Sequence, residues 1–350
     1  MSNALFDTHP KLTLGFFVLF LLLLLAGLSE IFLRFIVSYD IGYYTAVKKQ
    51  GKYEYPYGTI YMNEAGYPDT AFDLGSSKKR IGYFGDSVVF GVGAGAGHRL
   101  SDLLEDRYPA FEHWTFGMIS NGIQDDSILQ KARAYNLNTV VYAFNLHDIL
   151  PRTPHKNKGE GVSENGPFLF QTQRWIGTNL DGLLRGRSYL YTALRTVAKN
   201  ILVRLGYSTT GFRAAEFFPS ENLPLIQEVA GRINDMARSL KKEHIDFCVI
   251  LLPYEMQISR DAEKTYAALG IKWEKGFEDG STQDILKKDL NIKYIYDGRD
   301  AFTGLKDTIR TGDYFVYNKG DKIDFNHPNR EGHALLTKGF IQSRSCPFLK

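Results

Sequence analysis

The longest apolar run of the chain lies near its N-terminus. Residues 12–28 form an uncharged stretch of 17 residues, close to the roughly 20 that a membrane-spanning helix needs. Ile31–Val37 continues the apolar character and is interrupted by Arg34. Because Glu30 and Arg34 are four residues apart, a helix would place them on one face, where they can pair. The pattern predicts a transmembrane helix within residues 1–37.

A cleaved signal peptide is the alternative interpretation of this run. The segment before it offers only Lys11, and Ala26-Gly27-Leu28 is a poor small-x-small cleavage site, so we favour an uncleaved anchor. The lysines at 48, 49 and 52 follow the span and would place the next domain in the cytoplasm by the positive-inside count. Long domains, however, can cross a membrane regardless of flanking charge.

From residue 80 onwards, short apolar runs alternate with amphipathic segments. The runs predict buried strands at Ile81–Phe84, Thr139–Phe144, Phe247–Leu252 and Ile292–Tyr296. The segments predict helices at Leu100–Tyr108, Asp125–Asn136, Leu223–Glu243 and Arg330–Ser343. Continuously apolar strands that alternate with helices indicate a parallel sheet covered on both faces. The sequence therefore predicts an α/β domain over residues 80–343.

The other segments flank or interrupt this domain. Residues 1–37 are expected to be a cytoplasmic stub and the anchor, 38–79 a Tyr- and Gly-rich linker or cap, and 344–350 a tail. Residues 151–219 break the alternation and predict an insertion or lid. Within it, Tyr189–Leu205 predicts a basic amphipathic helix, for which we favour a solvated face over a membrane surface.

Composition excludes several functions. The net charge is +3 without a long basic run, which argues against a nucleic-acid partner. Two cysteines give no disulfide framework and no C-x-x-C motif, and Cys248 stands in an apolar run that predicts a core position. Gly91–Ala96 fits a loose G-x-G-x-x-A pattern, but it does not follow a strand directly and no Walker lysine accompanies it. We expect no cofactor and no metal.

Ser87 is the first residue with candidate chemistry. Gly85-Asp86-Ser87 closes the first strand of the domain, and ligands bind at that end of the strands in open parallel sheets. A serine hydroxyl becomes a nucleophile when an imidazole removes its proton and a carboxylate holds that imidazole. Taken alone, Gly-Asp-Ser is also compatible with an ordinary turn before a helix.

His327 supplies the second element. It alone among the eight histidines has an aspartate, Asp324, three residues before it. Asp324 can therefore reach one ring nitrogen and leave the other facing Ser87. The order Ser…Asp…His at two ends of one sheet predicts a nucleophile, an orienting acid and a base.

These motifs together resemble the SGNH (GDSL-type) hydrolase superfamily. The resemblance rests on Gly-Asp-Ser after the first strand, a Gly-containing second block, a third block after a buried strand, and Asp-x-x-His near the C-terminus. It covers roughly Arg80 to Ile341, apart from the 151–219 insertion. It implies a flavodoxin-like three-layer α/β/α sandwich with Ser87, Asp324 and His327 as a triad for ester hydrolysis or acyl transfer.

The resemblance also implies an oxyanion hole built from backbone N–H groups and an Asn side chain. Besides Ser87, we expect the backbone donor at Gly122, in Ser120-Asn121-Gly122, with Gly117 as the alternative. The third block, Gly-x-Asn-Asp in the family, falls on Asn145-Leu146-His147-Asp148. His147 therefore occupies the place of the family's Asn, and either His147 or Asn145 is the side-chain donor.

The function that the resemblance implies is a membrane-anchored serine esterase or O-acyltransferase. An acyl-enzyme on Ser87 would pass an acetyl group to water or to a sugar hydroxyl. Because anchored relatives often act on surface polysaccharides, we expect a domain on the periplasmic side of a bacterial inner membrane. Its expected partners are the membrane, an acylated small molecule or glycan, and a multi-spanning acyltransferase. The alternative is a non-catalytic SGNH-fold binding or scaffold protein of a membrane glycan-assembly complex, which His147 favours and the intact triad opposes.

Overall fold

The computed structural model describes most of the chain in two compact units. The described residues are 10–36, 47–49, 51–55, 57–119, 127–149, 180–184, 187–204, 216–268, 271–305, 307–316 and 324–350. The first unit comprises residues 1–45, 162–208 and 319–321, and the second comprises 46–161, 209–318 and 322–350.

The described secondary structure is numbered here in chain order. The strands are β1 (Val47–Lys49), β2 (Lys52–Tyr55), β3 (Gly58–Tyr61), β4 (Lys79–Gly85), β5 (Phe111–Thr115), β6 (Thr139–Phe144), β7 (Asp246–Leu251) and β8 (Tyr294–Asp297). The α-helices are α1 (Pro10–Ile36), α2 (Ser87–Phe90), α3 (Leu100–Arg107), α4 (Ser127–Ala134), α5 (Asp181–Leu184), α6 (Tyr189–Arg204), α7 (Pro219–Lys242), α8 (Ala262–Ala268), α9 (Ser281–Asp289) and α10 (Arg330–Ser343). Short 3-10 helices span Leu146–Ile149, Glu255–Gln257, Gly298–Leu305 and Pro347–Leu349.

The second unit is built on a parallel sheet. Its five strands lie in the order β5-β4-β6-β7-β8, and each neighbouring pair is parallel. Counted along the chain, this is the order 2-1-3-4-5 of flavodoxin-like folds, which bind ligands at the carboxyl ends of their strands where the strand order reverses. The flavodoxin-like fold class expected from the sequence is confirmed.

Helices cover both faces of this sheet because both faces are apolar. In β6, Val140, Tyr142 and Phe144 pack into one cluster with residues of α4, α7 and α9. Val141 and Ala143 point the other way and pack with residues of α3 and α10. The alternation of side chains along a strand thus divides the core into two, and the unit has three layers.

Within the parallel sheet, the edge strand β5 is the strand that the sequence did not predict. Its sequence, FEHWT, is interrupted by Glu112 and His113 and so lacks a continuous apolar run. His113 is nevertheless buried, and its Nδ1 lies 2.7 Å from the Tyr83 hydroxyl on β4. A hydrogen bond across the sheet thus compensates for a polar residue at a core position.

A disulfide joins Cys248 in β7 to Cys346 beyond α10, with 5.7 Å between the Cα atoms. Both residues are fully buried. The sequence-based expectation placed Cys248 in the core without a bond, which is wrong on the second point. The partners are 98 residues apart, and only the packing of the C-terminal segment against the sheet brings them together.

The segment before the sheet also has structure. Strands β1, β2 and β3 form a small antiparallel sheet. Its Ile60 is fully buried and packs with Phe90 and Val92, which follow Ser87. The described part of the predicted linker or cap therefore lies against the loop after α2.

The first unit contains α1, α5 and α6. Helix α1 is long and apolar enough to cross a membrane, and no other helix in the described ranges meets that criterion. Its most apolar window of 18 residues has a mean hydropathy of 2.6 and none of it is buried. Near its end, Arg34 and Glu30 pair at 2.8 Å, as their spacing predicted.

Candidate active site

The turn at the end of β4 places Ser87 at the carboxyl edge of the sheet. Gly85 has a φ of +154°, and a Cβ there would lie 2.8 Å from the Ala143 carbonyl oxygen and 2.6 Å from the Val89 side chain. Glycine is therefore required where the chain leaves the sheet. Asp86 caps α2 because its Oδ1 accepts from the Val88 N–H at 3.0 Å. Ser87 is consequently the first residue of that helix.

The glycines after α2 shape the neighbouring loop. Gly91 ends α2 in the left-handed conformation. Gly93 has a φ of +96°, and a Cβ there would lie 2.4 Å from the Pro328 carbonyl oxygen. The loop between residues 91 and 97 therefore packs closely against the segment that carries His327. This close packing accounts for the glycine at position 93.

Ser87, His327 and Asp324 form one hydrogen-bonded chain. Ser87 Oγ lies 2.7 Å from His327 Nε2, and His327 Nδ1 lies 2.5 Å from Asp324 Oδ2. Asp324 Oδ1 accepts from the backbone N–H groups of Asn326 and His327, both at 3.1 Å. The carboxylate is thus held in place, its other oxygen orients the imidazole, and the second ring nitrogen meets the serine.

The loop that contains Asp324 is hydrogen-bonded to a buried acid, Glu255, and to Tyr266. The Glu255 N–H donates to the Phe325 carbonyl at 2.8 Å, and the Tyr266 hydroxyl donates to the Asp324 carbonyl at 2.9 Å. Tyr266 is also hydrogen-bonded to the Glu255 carboxyl. Burial raises the pKa of Glu255 to about 8, and the negative charges of Asp324 and Asp261 add to the rise. A tyrosine hydroxyl has only one proton to donate. When the protonated Glu255 carboxyl donates to the Tyr266 oxygen, Tyr266 can donate its own proton to the Asp324 carbonyl.

Asn145 and Ser87 both follow the carboxyl ends of neighbouring strands, β6 and β4. Gly85 pairs with Ala143 in the parallel register of β4 and β6, and Ser87 and Asn145 each follow two residues later. Asn145 is fully buried, and its Oδ1 accepts from the His147 N–H at 3.3 Å. Its Nδ2 has no hydrogen-bond partner among the described residues. A buried amide donor without a partner is costly, and such a donor suits a site where a substrate atom completes the bond.

His147 is bound to an acid instead. Its Nδ1 lies 2.8 Å from Glu216 Oε1, and Glu216 Oε2 accepts from the Tyr254 hydroxyl at 2.7 Å. Glu216 is fully buried, whereas the His147 side chain is 31% exposed. When Nδ1–H donates to Glu216, Nε2 carries a proton only in the charged imidazolium. This arrangement favours Asn145 over His147 as a donor to an oxyanion. Sequence reasoning missed Glu216 and Tyr254, because no motif marks them.

The second block is only partly described. Gly122, the expected backbone donor, and its neighbours at 120–126 lie outside the described residues. Gly117 packs directly on α2, since a Cβ there would lie 2.6 Å from the Phe90 nitrogen and from the Val89 carbonyl carbon. The Met118 N–H donates to the Gly85 carbonyl at 3.2 Å. Gly117 therefore lies next to α2, the helix that begins at Ser87.

No group of three or more His, Cys, Asp or Glu residues that could hold a metal ion occurs in the part of the chain that the structure describes.

The fold and site define a doubly wound α/β protein with a Ser–His–Asp arrangement at the carboxyl edge of its sheet. No protein-family model matches the chain, and no curated protein matches its sequence. Among solved structures, it is similar to a catalytic mutant of an acetylxylan esterase from Geobacillus stearothermophilus (12% identity, TM-score 0.36, 76% of this chain and 94% of that one). It is also similar to a member of the lipolytic protein G-D-S-L family from Veillonella parvula (10%, 0.35, 76% and 98%). A third is LAE5, an α/β hydrolase enzyme from the metagenome of Lake Arreo, Spain (14%, 0.36, 77% and 97%). These similarities are too distant to transfer an activity.

Proposed function

We propose that the protein is a serine esterase or O-acyltransferase of the SGNH type. The observation that carries the proposal is the hydrogen-bonded chain from Ser87 Oγ through His327 to Asp324, with 2.7 and 2.5 Å between the paired atoms. Ser87 and His327 are 240 residues apart in sequence. The arrangement matches the geometry by which an imidazole activates a serine.

In the proposed reaction, His327 Nε2 removes the hydroxyl proton as Ser87 Oγ attacks an ester carbonyl carbon. The carbonyl oxygen becomes an oxyanion, which the Ser87 N–H and Asn145 Nδ2 stabilise. Asp324 stabilises the imidazolium of His327, which then returns the proton to the departing alkoxide. The C–O bond breaks, and the acyl group stays on Ser87.

The second half-reaction determines whether the enzyme hydrolyses or transfers. His327 removes a proton from water or from an acceptor hydroxyl, whose oxygen attacks the acyl carbon and releases Ser87. Both outcomes use the same acyl-enzyme, and transfer requires that the acceptor exclude water from the site. Consistent with the SGNH resemblance, we propose an O-acetylated carbohydrate as the acyl donor or product.

Two features support a location outside the cytoplasm. Helix α1 has the length and apolar character of a membrane anchor, and the unit that carries the site contains a buried disulfide between Cys248 and Cys346. Disulfides persist in oxidising compartments. We propose a single-pass protein of a bacterial inner membrane with its α/β domain in the periplasm, where a multi-spanning acyltransferase is the proposed partner.

A non-catalytic binding or scaffold role is the second candidate. His147 stands where the family has its Asn, and its Nδ1 is bound to Glu216 instead of being offered to a substrate. A drifted site would keep the fold while losing turnover. The close contact between Ser87 and His327 favours the enzyme.

Labelling with an activated serine-directed phosphonate tests the proposal. We expect wild type to be labelled stoichiometrically, Ser87→Ala to be unlabelled, and the matched control Ser220→Ala, at an exposed position of α7, to be labelled like wild type. Equal, weak labelling of wild type and Ser87→Ala would exclude the enzyme and leave the scaffold role.

A further inference from the structure

The first unit joins α6 to the end of the apolar helix α1. The Glu30 carboxylate accepts from the Ser188 hydroxyl at 2.8 Å, from the Tyr189 N–H at 3.1 Å and from the Leu190 N–H at 2.9 Å. The first N–H groups of a helix have no partner within it, and an acidic side chain there is stabilising. A residue of α1 therefore caps the N-terminus of α6.

Arg34, one turn further along α1, strengthens the junction. Its guanidinium donates to Glu30 at 2.9 Å and to the Arg187 carbonyl at 2.9 Å. It also lies 5.1 Å from the centre of the Tyr189 ring. Glu30 and Arg34 follow the uncharged run of residues 12–28, so a bilayer that takes up this run leaves them at its surface. The start of α6 is then held at the same depth in the membrane, because Glu30 and Arg34 are hydrogen-bonded to it.

An exposed apolar stripe runs along α6. Leu194, Val197 and Ile201 are 61%, 57% and 51% exposed, and their spacing of three and four residues places them on one face of the helix. In α5, just before, Leu183 and Leu184 are exposed as well. Large apolar side chains gathered on one surface mark an interaction site.

The sequence that carries the stripe is rich in basic residues. Between residues 181 and 204 the sequence has five basic residues, at 185, 187, 195, 199 and 204, and one acidic residue, Asp181. A basic helix with an apolar face binds at the surface of an anionic bilayer, with its apolar side chains among the acyl chains.

We propose that α6 lies in the interface of an anionic membrane with Leu194, Val197 and Ile201 towards the acyl chains. The proposal rests on the membrane anchoring by α1 given above, but not on the esterase activity. It replaces the solvated face favoured from the sequence. The bilayer, and not a second protein, is the proposed occupant because this segment is rich in basic residues and the start of α6 is bound by Glu30 of α1, the proposed membrane anchor.

Site-directed spin labelling tests this placement. The two cysteines of the sequence are paired in the disulfide, so an introduced cysteine is the sole reactive thiol. Full-length protein in nanodiscs that contain phosphatidylglycerol would be labelled at Val197→Cys, at Leu22→Cys within α1 as the reference, and at Ser220→Cys as the aqueous control. Accessibility to oxygen, which partitions into lipid, is compared with accessibility to a water-soluble nickel chelate.

We expect Val197→Cys and Leu22→Cys to be more accessible to oxygen than to nickel, and Ser220→Cys to show the opposite preference. A nickel preference at Val197→Cys, while Leu22→Cys stays in lipid, would overturn the placement of α6 alone. Shielding of Val197→Cys from both reagents would indicate a protein occupant and also overturn it. A nickel preference at Leu22→Cys would refute the anchor, and the placement with it.

The junction provides a second test. Adding Glu30→Gln to the Val197→Cys protein should lower the oxygen preference at residue 197, because the neutral amide caps α6 more weakly. Glu64→Gln, at an exposed position of the second unit, is the matched control. Replacing phosphatidylglycerol with phosphatidylcholine should also lower the preference, and an unchanged value would overturn the role of anionic headgroups.

Discussion

Asn145 and Ser87 each lie two residues beyond a paired position, Ala143 and Gly85, on neighbouring parallel strands. The pairing brings the buried amide of Asn145 to the same edge of the sheet as the serine. Because Asn145 Nδ2 has no hydrogen-bond partner among the residues described, an oxyanion formed at Ser87 is a suitable acceptor. The parallel register thus relates the proposed nucleophile to the proposed oxyanion donor.

We expect Asn145→Ala to lower kcat by about 10²–10³, a loss of about 2.7–4 kcal/mol of transition-state stabilisation, as for removal of other oxyanion donors. His147→Ala should lower it less than about tenfold, or about 1.4 kcal/mol, because Glu216 already engages its Nδ1. Hydrolysis of p-nitrophenyl acetate measures both. A larger loss for His147→Ala would assign the donor to the position where the family has Asn.

The proposed triad predicts a graded series of losses. Ser87→Ala and His327→Ala should abolish turnover, since each removes a group that takes part in bond making. Asp324→Asn should leave a small residual rate, about 10⁴-fold below wild type, because an amide stabilises the wrong imidazole tautomer. The steady-state rate of ester hydrolysis measures all three, with Asp300→Asn, an exposed aspartate, as the control. Rates close to that of wild type in the three variants would rule out this triad.

Glu255 predicts a pH dependence of stability. Its pKa is raised by burial to about 8 in the folded protein, from an ordinary value of 4.5. The folded state therefore holds a proton that the unfolded state releases between these values, and the free energy of unfolding falls as the pH rises from 4.5 to 8. The slope is about 1.4 kcal/mol per pH unit within that window.

Glu255→Gln should remove this dependence, because the amide keeps an acceptor for the Gly312 N–H and a donor for Tyr266. Urea unfolding at pH 5 and pH 8 measures the difference, with Glu263→Gln, exposed on α8, as the control. We expect the wild type and the control to lose stability between the two pH values and Glu255→Gln to lose less. An equal loss in all three proteins would show that Glu255 ionises normally.

The disulfide predicts a loss of stability on reduction. It closes a loop of 98 residues, for which the entropy of the unfolded chain corresponds to about 4–5 kcal/mol at most. Cys346→Ser should lower the free energy of unfolding by about 2–4 kcal/mol. Adding dithiothreitol should destabilise the wild type similarly and leave Cys346→Ser unchanged. A wild type that is insensitive to dithiothreitol would count against the bond.

The proposed periplasmic location is tested by fusion after Lys350. Alkaline phosphatase, which requires disulfides to fold, should be active there, whereas a fluorescent reporter that matures only in the cytoplasm should be dark. Fusions after Met1 should show the reverse pattern. Phosphatase activity only after Met1 would place the α/β domain in the cytoplasm.

Some features of this protein follow from local sequence alone. The runs at Ile81–Phe84, Thr139–Phe144 and Phe247–Leu252 predict strands because each is apolar throughout, and they lie in β4, β6 and β7. The uncharged run of residues 12–28 likewise predicts α1. The motifs Gly-Asp-Ser and Asp-x-x-His can be recognised from the sequence because each consists of residues that are close together along the chain. These patterns were sufficient to predict the fold class and to propose the triad.

Other features are decided only by tertiary structure. Three contacts join distant segments: the pairing of Cys248 with Cys346, the contact of His147 with Glu216 over 69 residues, and the hydrogen bond from the Glu255 N–H to the loop that contains Asp324. Strand β5 also belongs here, since its buried His113 is tolerated because the Tyr83 hydroxyl and the Tyr108 carbonyl supply partners. Periodicity records which face of an element is buried, but not which distant residue lies against it. The sequence thus predicts the candidate triad, while packing determines which groups contact these residues and which buried amide is left without a hydrogen-bond partner in the described structure.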